Sequence, residues 1–235
     1  MSTAERVKLK TLPPLEAGQH LEQPTFHDRY EAMPPDTRAE LVGGVVYMPS
    51  PLSGDHGEEH SNVSGWLFHY RRFTPGVRSP NDTTVKLDPQ GEPQPDCQLR
   101  IPAELGGQTY VDDEGYIAGA PELVVEVARS SRYYDLKQKK ADYERAGVRE
   151  YVVVELDPNR IHWFIRRGTR FAVLRPGPDG IYRSRVFPGL WLDPKALYAE
   201  DLDRLIQVLE QGLATREHAA FVARLAAAWA GRKPR

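Results

Sequence analysis

Two acids and a lysine carry most of the chemical content of this 235-residue chain. Glu126 lies in the run ELVVEVA, between Val124, Val125, Val127 and Ala128. A segment apolar on both faces has the pattern of a buried central strand. A carboxylate inside such a strand costs several kcal/mol to desolvate unless a cation or strong donors meet it. The compensating charge is a bound cation or an arginine such as Arg129, unless the strand end reaches water. Asp96 follows Pro95 in QPDCQL and opens a second, shorter strand-like segment; Pro-Asp is also a common turn dipeptide. If the stretch between them folds as a hairpin, Asp96 and Glu126 meet at strand ends as a hard-oxygen pair suited to Mg²⁺. Lys139 falls in a helical pattern entered from the Glu126 strand, with Asp135 and Tyr143 four residues to either side, so one helix face presents Asp, Lys and Tyr. A helical lysine is most often solvated. Facing a bound cation, it could instead orient a water and stabilise charge developing on phosphorus.

The elements that must position these residues follow from periodicity. Residues 1–35 contain Pro13, Pro14, Pro24, Pro34 and Pro35, which predicts an extended arm with a short helix near Thr25–Met33. AELVGGVVYMPSP reads as a hairpin about Gly43-Gly44. Ser53-Gly54-Asp55 caps a helix in which Val63, Trp66, Leu67, Tyr70 and Phe73 recur at helical spacing. TTVKLD and QPDCQLRIP are strand-like, and the Gly-rich stretch 104–120 is a loop with a small hairpin. DLKQKKADYERAG is helical and stops at Gly147. YVVVELD is a second buried strand, followed by a hairpin about Gly168 and two amphipathic helices, DLDRLIQVLEQGL and EHAAFVARLAAAWAG. The order predicts an α/β (α+β) protein: a mixed sheet flanked by helices, βαβ at its centre, with a C-terminal helical extension.

Composition narrows the function. No stretch approaches the roughly 18 apolar residues of a membrane span, and the first residues lack a signal-peptide pattern. The single cysteine, Cys97, rules out an internal disulfide and suits a cytoplasmic protein. The net charge of −2 argues neither for nor against nucleic acid. Charge is local: Arg129, Arg132, Lys137, Lys139 and Lys140 face one acid, Asp135, and Arg160, Arg166, Arg167 and Arg170 follow with none. Such clusters are ordinarily solvated faces; beside a catalytic segment they suit phosphate contacts. No phosphate-binding, dinucleotide or serine-hydrolase motif occurs, so no organic cofactor is expected. His56 and His60 are spaced i,i+4, but HGEEH lacks the glutamate position of a zinc protease.

Quoted together, PDCQL and PELVVEVARSSRYYDLKQKKADYERAGVREYVVVELDP resemble the core of the putative restriction endonuclease family (Uma-type) within the PD-(D/E)xK nuclease superfamily. ELVGGVVYMPSP with His56-Gly57 resembles that family's N-terminal motif, and the likeness spans residues 38–195. It implies a restriction-endonuclease-like fold over 36–198, an arm before it, and helices of 199–235 packing on or extending it. It also implies that Asp96 and Glu126 ligate Mg²⁺ (or Mn²⁺), with the carbonyl of Val127 as a further ligand. Glu40 matches the family's early acid, an additional metal or water ligand or else a hairpin residue in an ion pair. The superfamily's lysine falls two residues after the second acid, where this chain has Ala128; Lys139 takes the place of the migrated lysine. Arg129-Ser130-Ser131 stands where many members have Ser-Pro. The activity implied is Mg²⁺-dependent cleavage of DNA, with Arg129, Arg132, Lys137, His56 and the 160–170 hairpin touching substrate. The alternatives are an inactive nucleic-acid- or protein-binding module, and an assembly role in which apolar stripes of the C-terminal helices pair protomers as a homodimer.

Overall fold

Glycines and one buried aromatic organise the N-terminal layer. The computed structural model describes residues 12–48 and 54–231, apart from the side chains of Asp55 and His56. Helix α1 (Gln23–Glu31) precedes an antiparallel hairpin of β1 (Glu40–Val42) and β2 (Val45–Tyr47). Gly43 and Gly44 form its turn with φ of 61° and 75°, the left-handed conformation a two-residue hairpin turn requires. The short helix expected within the N-terminal arm is present as α1, and the described residues before it lie against the hairpin through a bridge between His20 and Val45. Pro24 starts α1 rather than breaking it, because the first helical turn needs no amide there. Phe26 is then fully buried against Leu15, Leu41 and Val46.

Helix α2 (Gly54–Arg72) buries Val63, Trp66, Leu67 and Tyr70 as its spacing predicts. Phe73 departs from that stripe: it lies just past the helix end, exposed, with the Arg72 guanidinium over its ring. The capping reading of Ser53 falls outside the described residues. Strands β3 (Val85–Lys86), β4 (Cys97–Leu99), β5 (Tyr110–Val111) and β6 (Ile117–Ala118) follow, with β3, β6 and β5 forming a small sheet.

The central sheet has the order β10-β9-β8-β7-β4. Its middle strand is β8 (Glu150–Leu156), parallel to β7 (Leu123–Ala128). The crossover contains α3 (Arg132–Tyr134), a π-turn (Asp135–Lys139) and α4 (Lys140–Ala146). β9 (Asn159–Arg167) and β10 (Arg170–Leu174) extend the sheet antiparallel, and β4 pairs antiparallel with the other edge of β7. Each face of this sheet carries its own apolar cluster. Val125, Val127, Val152 and Val154 pack against α2 residues, while Val124, Ala128, Tyr151 and Val153 pack against Tyr143 of α4.

A short hairpin, β11 (Tyr182–Arg183) with β12 (Trp191–Leu192), leads to α5 (Pro194–Tyr198), α6 (Leu202–Leu213) and α7 (Arg216–Ala230). Most of the apolar stripes considered for pairing protomers face the chain's own core, with Leu202 and Trp229 left exposed. Leu205, Leu209, Phe221 and Leu225 are buried in the same cluster as Trp66 and Trp163. The helices can dock closely because Gly212 meets the backbone of Gly189, where an added Cβ would lie 2.2 Å from a carbonyl oxygen. Among the described residues no helix is long and apolar enough to cross a membrane.

Candidate active site

Strand register brings the two acids together. Cys97 on β4 pairs with Val125 on β7, so in an antiparallel ladder the residue before Cys97 falls opposite the residue after Val125. These are Asp96 and Glu126. The Asp96 amide lies 3.5 Å from Glu126 Oε2, and the Val127 amide donates to Asp96 Oδ2 at 2.7 Å. Val127 thus touches the site through its N–H, a contact separate from the carbonyl ligation expected of it.

The lysine arrives from the crossover helix, which is not the uniform α-helix its periodicity predicts. In the π-turn the Lys140 amide bonds to the Asp135 carbonyl, five residues back. Such a turn accommodates one extra residue and occurs frequently at functional sites. Lys139 Nζ stands 3.1 Å from Glu126 Oε1, and the Tyr143 hydroxyl donates to the same oxygen at 2.7 Å. The face carrying Asp135, Lys139 and Tyr143 is the buried one, with Lys139 only 6% exposed. The compensating charge for Glu126 is thus a lysine, not an arginine.

Glu40 completes the group from the hairpin. Its Oε1 accepts from Lys139 Nζ at 3.0 Å and from the Gln94 amide at 2.7 Å. The hairpin is held in place by the Gly43 amide, which donates to the Asp142 carboxylate on α4. Four carboxylates, those of Glu40, Asp96, Glu126 and Asp135, act on one ammonium. Burial pushes Glu126 well above the usual carboxylate range; Lys139 draws it down, and Asp96, Asp135 and Glu40 push it further up. Burial alone would lower Lys139, but the surrounding acids more than offset this and hold it well above an ordinary lysine. Burial also raises Asp135, to about 6, against the pull of Lys139.

Lys139 is, among the described residues, the ammonium on which these four carboxylates act. Among the described residues no three Asp, Glu, His or Cys side chains converge as a full protein cage for a metal. Mg²⁺ does not require one: it keeps several waters and is commonly held by one or two carboxylates. The hard-oxygen donors of Asp96 and Glu126, set beside the buried acids Glu40 and Asp135, fit such a cation.

The remaining predicted residues are more scattered. The His56 side chain lies outside the described residues. Arg129 and Lys137 are exposed on the segment leaving β7. Arg132 is committed elsewhere: it donates to buried Glu155 at 2.8 Å, and His162 engages the other oxygen of Glu155 at 2.6 Å. In the 160–170 hairpin Arg170 bonds to the carboxylate of Glu144 on α4, an acid distant in sequence that the local charge count omits, while Arg166 donates to the Glu144 backbone carbonyl. Three neighbours of the site were not singled out for it by sequence. His60 Nε2 lies 2.9 Å from the Asp96 carbonyl oxygen, the Gln94 amide binds Glu40, and the Tyr134 ring sits 5.7 Å from Lys139 Nζ and 4.1 Å from the Tyr47 ring. A cavity of about 630 Å³, lined by Arg160, Tyr182, Lys195 and Tyr198, contains none of the four acids.

Residues 24–195 match the family described as Uma2, "Putative restriction endonuclease". The fold is similar to a crystal structure from Anabaena variabilis described as a putative nuclease belonging to DUF820. That likeness has a TM-score of 0.55 and 14% identity, covering 73% of this chain and 96% of the other. No curated protein matches the chain.

Proposed function

Since the chain belongs to the Uma2 family of putative restriction endonucleases, we propose that it is a Mg²⁺-dependent endonuclease hydrolysing phosphodiester bonds in DNA. The observation that carries this reading is the pairing of Asp96 with Glu126 across the β4–β7 edge, with the Lys139 ammonium on Glu126. Asp96 and Glu126 would hold the cation, with Mn²⁺ as a substitute. Bound there, a divalent cation polarises a phosphate and lowers the pKa of an attacking water.

The protein's own groups supply the rest. The Val127 amide and the Tyr143 hydroxyl fix the carboxylates of Asp96 and Glu126, so that little reorganisation is needed as charge develops. Lys139 would orient the attacking water and stabilise negative charge on the phosphoryl oxygens. Glu40 shares the lysine's protons while the metal is absent. Arg129 and Lys137, exposed beside the site, would contact the DNA backbone and make binding weaken steeply with salt.

Purified protein incubated with supercoiled plasmid tests the reading. Nicking or linearisation should require Mg²⁺ or Mn²⁺, stop with chelator, and be lost in Asp96→Ala. Absence of cleavage of any nucleic acid in either metal would refute it. A second reading draws on the same ion pair: Lys139 already neutralises part of the acid cluster, as it would in a binding module without catalysis. Such a module would bind DNA equally with and without Mg²⁺ and tolerate Glu126→Gln.

A further inference from the structure

The Lys139 ammonium occupies a position for which a divalent cation would compete. It sits 3.0 Å from Glu40 Oε1 and 3.1 Å from Glu126 Oε1, and Glu126 is one of the two acids assigned above to the metal. Two cations that close repel strongly in a poorly screened interior. A bound Mg²⁺ would therefore weaken the hold of Glu126 on the lysine and favour an acceptor elsewhere for its protons.

One such acceptor is built into the same helix. Asp135 is 2% exposed, yet among the described residues its Oδ2 has no hydrogen-bond partner. A buried carboxylate oxygen left unsatisfied carries a substantial desolvation cost. Asp135 and Lys139 are the two ends of the π-turn, and each acts electrostatically on the other. The Ser131 side chain nearby favours the charged form of the Asp135 carboxylate, opposing the effect of burial. The Tyr134 ring, 5.7 Å from Nζ, gives the ammonium a further favourable surface while it moves.

We propose that Asp135 is a positioning residue that receives the Lys139 ammonium when a divalent cation loads at Asp96 and Glu126. Lys139 then acts as a tethered counter-ion: it caps the acids while the metal is absent and swings within its own turn when the metal arrives. Asp135 touches neither metal nor substrate in this scheme. It lowers the cost of metal entry by satisfying the displaced lysine. The inference rests on the proposed metal site, and its test separates the two.

The test is a double-mutant cycle on the full chain, with Mg²⁺ alone titrated calorimetrically into wild type, Asp135→Asn, Lys139→Met and the double variant. Asp135→Asn should weaken Mg²⁺ binding about 10- to 100-fold, the usual effect of removing a group that supports a metal's ligands. Lys139→Met should bind Mg²⁺ more tightly than wild type, and in that background Asp135→Asn should change affinity by less than about twofold, within ordinary additivity error. An equal loss in both backgrounds would show Asp135 acting only as a nearby charge and would overturn the inference while leaving the metal site standing. Failure of wild type itself to bind Mg²⁺ would instead remove the site. If Lys139→Met does not fold, crystals of unaltered protein grown with and without Mg²⁺ decide. Nζ should lie within hydrogen-bond distance of Asp135 only with the metal bound; an ammonium still bridging Glu40 and Glu126 beside the metal refutes the proposal.

Discussion

Replacing Lys139 by methionine probes the electrostatics of the site without reference to any substrate. The side chain is similar in length, so packing is nearly kept while the ammonium bonded to Glu40 and Glu126 is removed. Removing one partner of a buried pair costs about 3–5 kcal/mol, against a total stability of about 5–15 kcal/mol. With a urea slope of about 3 kcal/mol per molar, the unfolding midpoint at pH 8 should fall by roughly 1–1.7 M. The loss should also depend on pH. Burial already raises Glu126 above its unfolded value of 4.5, and the downward pull of Lys139 is absent from the variant, so its folded value rises further. A group with a raised folded pKa binds more protons when folded, so its contribution to stability falls as pH rises from the unfolded value through the folded one. The deficit of the variant should therefore be largest at pH 8 and shrink toward pH 5, where Glu126 is protonated. Equal deficits at both pH values, or an unchanged midpoint at pH 8, would refute this account of the cluster.

Three other expectations concern the scaffold. Phe26→Ala should destabilise the chain by about 3–5 kcal/mol in chemical denaturation, as loss of a fully buried phenylalanine does; a neutral result would mean that α1 does not support the hairpin carrying Glu40. Gly212→Ala should lower the melting temperature, since its Cβ would meet the Gly189 carbonyl, with a cost of about 1–3 kcal/mol for overpacking; unchanged melting would contradict the close approach. Glu150, buried and raised to about 7, should make stability decline between about pH 4.5 and 7 and level off above. That decline should flatten in Glu150→Gln, and a variant that kept the full slope would assign it to another group.

How much of this could be read from sequence differs by residue, for physical reasons. β7, β8 and their crossover were legible because a strand buried on both faces has a distinctive composition, and ELVVEVA and YVVVELD both have it. The Gly43-Gly44 turn was equally plain, since few residues tolerate its backbone. Glu126 stood out because a charge in such a strand demands compensation. Its neighbour Asp96 became convincing only through register, which the sequence suggests but does not determine. The π-turn was invisible: an apolar spacing of 3.6 residues does not announce one wider turn. His60 was missed because its contact with the Asp96 carbonyl depends on how α2 docks across β4, a long-range matter. Arg132 and Arg170 looked available because local charge counts omit distant acids, and the carboxylates of Glu155 and Glu144 engage them in the fold, while a backbone carbonyl holds Arg166. The stripes of α6 and α7 looked ready for a partner for a similar reason, although most of each faces the chain's own core.

Anomalous diffraction from crystals soaked in Mn²⁺ tests the central claim most directly. A single strong peak between the carboxylates of Asp96 and Glu126, absent in Asp96→Ala, is the expected result. A difference map with no peak there, or with manganese bound only where neither acid can reach it, would contradict the account.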